Sequence, residues 1–125
     1  NQESYEKASR RLFEALTKIE KKFDKNLGNW LCGEELTYAD IYLFPTIIRW
    51  ELIYRHLFKC TEKEITDFQN INKWRLRFFE LSNVSETCFD SEWKKDYYKA
   101  LFPLNPNQIV PLLPSLKEIM HSIPK

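Results

Sequence analysis

The sequence predicts an all-α domain, and three observations predict it. Only two glycines, Gly28 and Gly33, occur in 125 residues, far below the share that turn-rich β proteins carry. Apolar residues recur at spacings of three and four, and strand-like alternation is scarce. Ser/Thr-x-x-Asp/Glu boxes stand at Thr37–Asp40, Thr61–Glu64 and Ser115–Glu118, each a local signal for a helix start. With 43% apolar and 15% aromatic residues, the chain has enough apolar surface to close one core.

The elements follow in order. An amphipathic helix is expected from about Ser4 to Asp24, with Ala8, Leu12, Leu16, Ile19 and Phe23 on one face and most of the charge elsewhere. A loop, Lys25 to Leu36, holds both glycines and an apolar patch, Trp30-Leu31-Cys32, that suits packing back onto the domain. At Thr37 the side-chain oxygen can accept the N–H three residues on, and Asp40 can reach back to the N–H of Thr37. Leu36 and Ile41 flank this pair as a hydrophobic staple. The helix that starts here runs to roughly Leu57 and is apolar over most of its circumference, as the central helix of a bundle would be. Pro45 inside it has no N–H for the carbonyl of Ile41, so a kink is expected.

Thr61 to Glu64 should open a short helix, and Ile71, Trp74, Phe78 and Leu81 mark the face of the next. Val84 to Thr87 suits one short turn. Asp90 or Ser91 can cap a helix carrying Trp93, Tyr97 and Tyr98. Asn105-Pro106 and Val110-Pro111 read as turn or extended chain. Ser115 opens a short terminal helix through His121. The sum is a bundle of about five to seven helices around a kinked central one.

Composition narrows function mainly by exclusion. The chain has 19 basic and 18 acidic residues, net charge +1, and so no electrostatic footprint for nucleic acid or an anionic membrane. No apolar run reaches the length of a membrane span. Cys32, Cys60 and Cys88 form neither a Cys-x-x-Cys pair nor a metal-ligand spacing. A disulfide framework is not expected, a reducing cytoplasmic compartment is, and no metal is. The chain begins at Asn1, directly in a helical pattern, and is read as excised from a longer protein.

Leu36-Thr37-x-Ala39-Asp40-Ile41 opening a buried helix resembles the C-terminal helical domain of glutathione transferases. Further residues narrow the resemblance. They are Leu43-Phe44-Pro45-Thr46, Arg49-Trp50, Tyr54, Phe58-Lys59-Cys60, Asp67, Asn70, Val84, Glu86-Thr87, Tyr97-Tyr98, Asn105-Pro106 and Ile109-Val110-Pro111. In this order, over about residues 1 to 114, they look like the glutathionyl-hydroquinone reductases, the Xi class.

The resemblance implies an N-terminal thioredoxin-like domain, absent from this chain, that binds glutathione and carries a nucleophilic cysteine in a Cys-Pro motif. None of the three cysteines here matches that motif, so this chain alone is expected to be inactive. Its own share would be the wall of a pocket for an aromatic or quinone-like small molecule, and a homodimer contact. By the same resemblance, Tyr97 or Tyr98 is the catalytic phenol, and Arg49 and Tyr54 are substrate-binding. The family has His directly before Phe-Lys-Cys, where Leu57 stands here with His56 one place early. It has Ser-His where Ala100-Leu101 stands.

Plainer roles are expected for the rest. Asp40 is a helix cap, Cys60 a small buried side chain, His56 and His121 surface or interface groups, and the tryptophans core anchors. Arg49 needs a partner wherever it is buried. Helical domains of this kind also serve as assembly modules in translation factors and synthetase complexes, which is the alternative to an enzyme.

Overall fold

The computed structural model describes residues 1–122; residues 123–125, part of the single domain expected from the sequence, lie outside the described residues. Helix α1 spans Gln2–Lys25, with the Asn1 side chain accepting the Ser4 N–H at 2.9 Å. The central rod begins as α2, Tyr38–Arg49, passes through a π-helical turn, Trp50–Tyr54, and ends in α3, Arg55–Leu57. Then come a 3₁₀ turn, Ile65–Asp67, helix α4, Gln69–Glu80, a second 3₁₀ turn, Ser85–Thr87, helix α5, Asp90–Ala100, and a short α6, Leu116–Met120. Among the described residues no β-sheet forms; Trp30 and Gly33 make one isolated bridge.

The core lies between α1, the rod and α4. Leu52, Ile53, Ile71 and Trp74 are wholly excluded from solvent. Phe44 of α2 stacks on Phe78 of α4 with ring centroids 4.2 Å apart, and Trp74 meets Phe78 edge-on at 5.1 Å. Such pairs add about 0.5–1.5 kcal/mol each beyond the area they bury. The inward face of α1 is rotated from the expected one. Ala8 is exposed, while Phe13 and Leu16 are buried and Leu12, Ile19 and Phe23 pack beside them. Phe13 sets this rotation because its ring meets the edge of Trp50 at 6.2 Å.

Two helix starts are satisfied from far along the chain. The Glu20 carboxylate of α1 accepts the N–H groups of Asn70 (2.8 Å) and Ile71 (2.9 Å), capping α4, whose own preceding residue is Phe68. A carboxylate there meets unpaired amides and the positive end of the helix dipole together. The residue before α5 is Phe89, so neither Asp90 nor Ser91 is its cap. Asp90 instead turns across to accept the N–H of Leu116 at 3.0 Å, at the start of α6. Thr61 does not open a helix either. The turn starts at Glu64, whose N–H donates to Asp67 at 2.8 Å. Ile65 and Phe68, at its two ends, are both buried. At α6, Glu118 accepts the Ser115 N–H at 2.7 Å and Ser115 accepts the Glu118 N–H at 3.3 Å.

The loop after α1 does fold back. The Asn26 amide donates to the carbonyls of Trp30 (3.0 Å) and Leu31 (2.9 Å), and Trp30 meets Phe78 edge-on. Trp30 and Leu31 are buried, whereas Cys32 points to solvent at the tip of the bridge. No helix among the described residues is long and apolar enough to cross a membrane.

Candidate functional site

The rod departs from α geometry one turn beyond Pro45, at Trp50–Tyr54. This matters for which side chains share a face. On an α-helix, five residues advance about 500°, leaving the fifth about 140° from the first. A π-helical turn closes its hydrogen bond at the fifth residue and brings that residue back toward the line of the first. Tyr54 thereby comes round toward the side of Arg49, and both meet α5.

The contacts with α5 form one strip. The Arg49 guanidinium sits 4.6 Å from the centroid of the Trp93 ring. One helical turn along α5, the hydroxyls of Tyr97 and Tyr54 lie 2.8 Å apart, their rings edge-to-face at 5.3 Å. Burial and the bond to Tyr97 push the Tyr54 phenol up to about 12, against the opposing pull of the Arg49 charge. Tyr98 faces the other way. It is buried, donates to the carbonyl of Ile53 at 3.3 Å, and is pushed up by burial. The two adjacent tyrosines therefore do different things: Tyr98 ties α5 to the core, while Tyr97 keeps a half-buried hydroxyl whose partner is another phenol. None of the ion pairs among the described residues includes Arg49.

Beside Tyr54 an apolar groove of about 310 Å³ runs between α1 and the rod. Leu12, Leu16, Leu43, Trp50 and Phe58 line it, with Cys60 at one end. Cys60 is half-buried, and burial pushes its thiol up, away from the thiolate that nucleophilic or redox chemistry uses. Burial does the same at Cys88. His56, at the end of the rod, is exposed along part of its ring; the desolvation of the rest, and then the Arg55 charge, hold it below the ordinary histidine range. Among the described residues no group of three His, Cys, Asp or Glu side chains could hold a metal.

Asp40 is more than the partner of a cap. Its Oδ2 accepts from the N–H and the hydroxyl of Thr37, both at 2.9 Å. Its Oδ1 accepts from the Leu31 N–H at 2.8 Å and the Trp74 indole N–H at 2.9 Å. Burial alone would raise this carboxyl, but the hydrogen bonds from Leu31, Thr37 and Trp74 outweigh it and hold it below the ordinary carboxylate range.

Sequence reasoning missed a second buried charge cluster. Arg75 of α4 is wholly buried and donates to Asn72, to the carbonyl of Ile119 (2.7 Å) and to Ser122. Its Nη1 also lies 3.1 Å from Glu51 Oε2, on the π-helical turn. The pattern of α4 hides this: Arg75 follows Trp74 directly and reads as the start of a polar face.

Residues 2–77 match the family described as "Glutathione S-transferase, C-terminal domain". The chain is 36% identical over 114 residues to glutathionyl-hydroquinone reductase PcpF of Sphingobium chlorophenolicum, covering 91% of this chain and 36% of that protein. It thus spans about a third of the length of the curated relatives it matches. Glutathione transferase Xi 1 from Trametes versicolor superposes with a TM-score of 0.84 at 36% identity, covering 93% of this chain and 40% of that one. The glutathione-bound structure of YqjG from Escherichia coli K-12 superposes with a TM-score of 0.88 at 26% identity, covering 97% of this chain and 38% of that one. An all-helical bundle with these relatives belongs to the glutathione S-transferase C-terminal domain family, and within it is most like the glutathionyl-hydroquinone reductase, or Xi, class.

Proposed function

We propose that this chain is the substrate-side helical domain of a glutathione-dependent reductase acting on glutathionyl-hydroquinone-like aromatic compounds. The observation that carries this reading is the contact strip of Arg49, Tyr54 and Tyr97 with α5, joined through Tyr54 to the lining of an apolar groove. The groove offers an apolar lining to a flat ring, and Tyr54, which lines it, carries the phenol bonded to Tyr97 on α5. The likeness to a protein named as a glutathionyl-hydroquinone reductase supplies the substrate class.

In this reading the reacting thiol and most of the glutathione contacts belong to a thioredoxin-like domain outside this chain. The thiolate attacks the glutathionyl sulfur, the carbon–sulfur bond of the ring breaks, and the ring carbon takes up a proton. A second glutathione resolves the mixed disulfide as glutathione disulfide and returns the thiol. Tyr97 hydrogen-bonds the hydroquinone oxygen and stabilises charge as the ring leaves; Tyr54 holds that phenol in place. Tyr98, with its hydroxyl committed to Ile53, takes no part. Arg49 orients the ring oxygen or a carboxylate. The same reading makes the parent a cytoplasmic homodimer and the isolated chain inactive.

The test is turnover of a glutathionyl-hydroquinone with excess glutathione by the full parent protein, followed as released hydroquinone. Turnover supports the reading. A folded, glutathione-binding parent that fails on this substrate and cleaves another aromatic thioether would reassign the substrate. A folded parent that neither turns over nor binds glutathione refutes it.

A further inference from the structure

The π-helical turn is gripped from two sides. On one side α5 holds it, through Tyr97 to Tyr54 and Tyr98 to the Ile53 carbonyl. On the other, Arg75 of α4 reaches Glu51 on the same turn while gripping Ile119 and Ser122, on and just after α6. Arg75 therefore stands between the rod and the C-terminal helix, with one set of donors to divide between them.

That division is unfinished in a way buried groups rarely are. Arg75 Nη1 is 3.1 Å from Glu51 Oε2 and donates to the Ile119 carbonyl, yet Oε2 receives no aligned hydrogen bond. The Asn72 amide nitrogen, on the far side of the guanidinium, also lacks a partner. Well-paired buried ions add little stability over apolar isosteres, and a half-satisfied pair adds less; the best-attested use of such groups is to select one arrangement over another.

We propose that Glu51 and Arg75 form a positioning pair. The charge on Glu51 sets whether Arg75 holds the π-helical turn as well as α6, and the turn carries that state through Tyr54 to the Tyr97 hydroxyl. With Glu51 ionised, the guanidinium is drawn to the rod. With Glu51 neutral, the guanidinium keeps only its bonds to Ile119, Ser122 and Asn72, and the turn rests on α5 alone. A partly enclosed cavity of about 130 Å³ beside Glu51, lined also by Arg55, His56, Glu64 and Thr66, gives the proton a way in.

Burial places this carboxyl at about 7, with Arg75 from α4 and Arg55 from α3 pulling it down and Glu64 pushing it up. His56, on α3 and lining the same cavity, is the other group there able to change charge near neutral pH. Where Tyr97 meets substrate, the inference deepens the reductase reading and rests on it; the coupling of Glu51 to Tyr97 can be measured without any turnover.

The experiment is a carbon-13 NMR titration of this chain, labelled at the glutamate side-chain carboxyl and the tyrosine Cζ, across the neutral range. The Tyr54 and Tyr97 Cζ lines should move with the midpoint of the Glu51 carboxyl, near 7. In Glu51→Gln that movement should vanish, and in His56→Gln it should remain. Tyrosine lines that stay still while Glu51 titrates overturn the proposal. So does a Glu51 that does not titrate in this range, or a movement that His56→Gln abolishes. If Glu51→Gln does not fold, the comparison of midpoints in the unaltered chain decides alone. In the parent, Glu51→Gln should remove an inflection near neutral pH from kcat and leave KM unchanged. Shared midpoints without turnover keep the pair and refute the reductase; turnover without shared midpoints does the reverse.

Discussion

The indole N–H of Trp74 donates to Oδ1 of Asp40 at 2.9 Å, between wholly buried residues 34 positions apart in the chain. The bond joins the start of the central rod to the middle of α4. Because the same carboxylate also holds Leu31 and Thr37, one side chain aligns the loop, the rod and α4.

Asp40→Ala should therefore cost far more than a helix cap. It strands the amides of Leu31 and Thr37 and the indole of Trp74, and the expected loss is about 3–5 kcal/mol, the range for breaking a buried charged network. Thr37→Ala removes the hydroxyl and its γ-methyl but leaves the other donors to Asp40 in place, and should cost about 1 kcal/mol. Asp40 sits below its ordinary value, so its contribution is complete above the unfolded-state pKa of about 3.9 and is lost as pH falls through the folded value. Urea midpoints of the unaltered chain and Asp40→Asn, at pH 6 and pH 3, check this: the gap between the two proteins should shrink at the lower pH. Equal costs for Asp40→Ala and Thr37→Ala would show that only the cap matters.

How much of this was legible in the sequence divides by distance along the chain. Asp40 stands three residues after Thr37, and short-range spacing is enough to find that pair. Its bond to Trp74, the Glu20 cap on α4 and the Asp90 cap on α6 join residues brought together only by packing, and no local pattern marks them. The rotation of α1 turned on Phe13 finding Trp50, where periodicity alone fitted Ala8 as well. The π-helical turn is the hardest case. It differs from an α-helix by one residue in hydrogen-bond register, and Trp50-Glu51-Leu52-Ile53-Tyr54 suits either. Naming Arg49, Tyr54, Tyr97 and Tyr98 needed the family resemblance, and separating Tyr97 from Tyr98 needed coordinates.

Gly28 offers a steric prediction. A Cβ there would collide with the backbone carbonyl of Gly33 and the amide of Glu34, which cannot swing aside as a flexible side chain would. Gly28→Ala should open the loop that seats Trp30 on Phe78, at a cost of about 1–3 kcal/mol. Gly33, at φ +137°, has open space for a Cβ and should pay backbone strain alone. Thermal unfolding with tryptophan emission distinguishes them: only Gly28→Ala should shift the folded-state spectrum. Identical spectra for the two variants would remove the contact argument.

Glu51 gives a pH dependence of opposite sign to that of Asp40. Its carboxyl is raised from 4.5 to about 7 in the folded state. Such a group favours folding while protonated, so stability is highest below the unfolded value and declines as pH rises to the folded one. The decline is about 3 kcal/mol at most, from roughly 1.4 kcal/mol for each pH unit that separates the folded and unfolded values. Between pH 5 and 8 the chain should lose stability and Glu51→Gln should not, making the variant the more stable protein at pH 8. His56, held low, acts in the other direction at the acid end, so the comparison belongs in a His56→Gln background. A flat profile for the unaltered chain in that background would sink the assignment.

Arg49 is tested by shape rather than charge. Arg49→Lys keeps the cation but not the planar face over Trp93. In the parent protein it should raise KM for the aromatic substrate several-fold and leave the unfolding midpoint nearly unmoved. A lost midpoint with unchanged KM would make Arg49 a packing residue.

Tyr97 and Tyr98 form the sharpest pair, because one oxygen is removed in each case. Tyr97→Phe takes away the half-buried hydroxyl beside Tyr54. If that phenol assists the departing ring, kcat in the parent should fall by about 10²-fold or more, the range for a lost general acid. Tyr98→Phe takes away the bond to Ile53 inside the core. It should cost about 1 kcal/mol of stability and leave turnover unchanged. Tyr54→Phe should fall between, since it leaves the Tyr97 hydroxyl present but unheld, and adding Tyr54→Phe to Tyr97→Phe should change little more. The crossed result, turnover lost with Tyr98→Phe and kept with Tyr97→Phe, would move the site to the opposite face of α5. Loss of turnover in neither would mean that the strip binds α5 to the rod and nothing else.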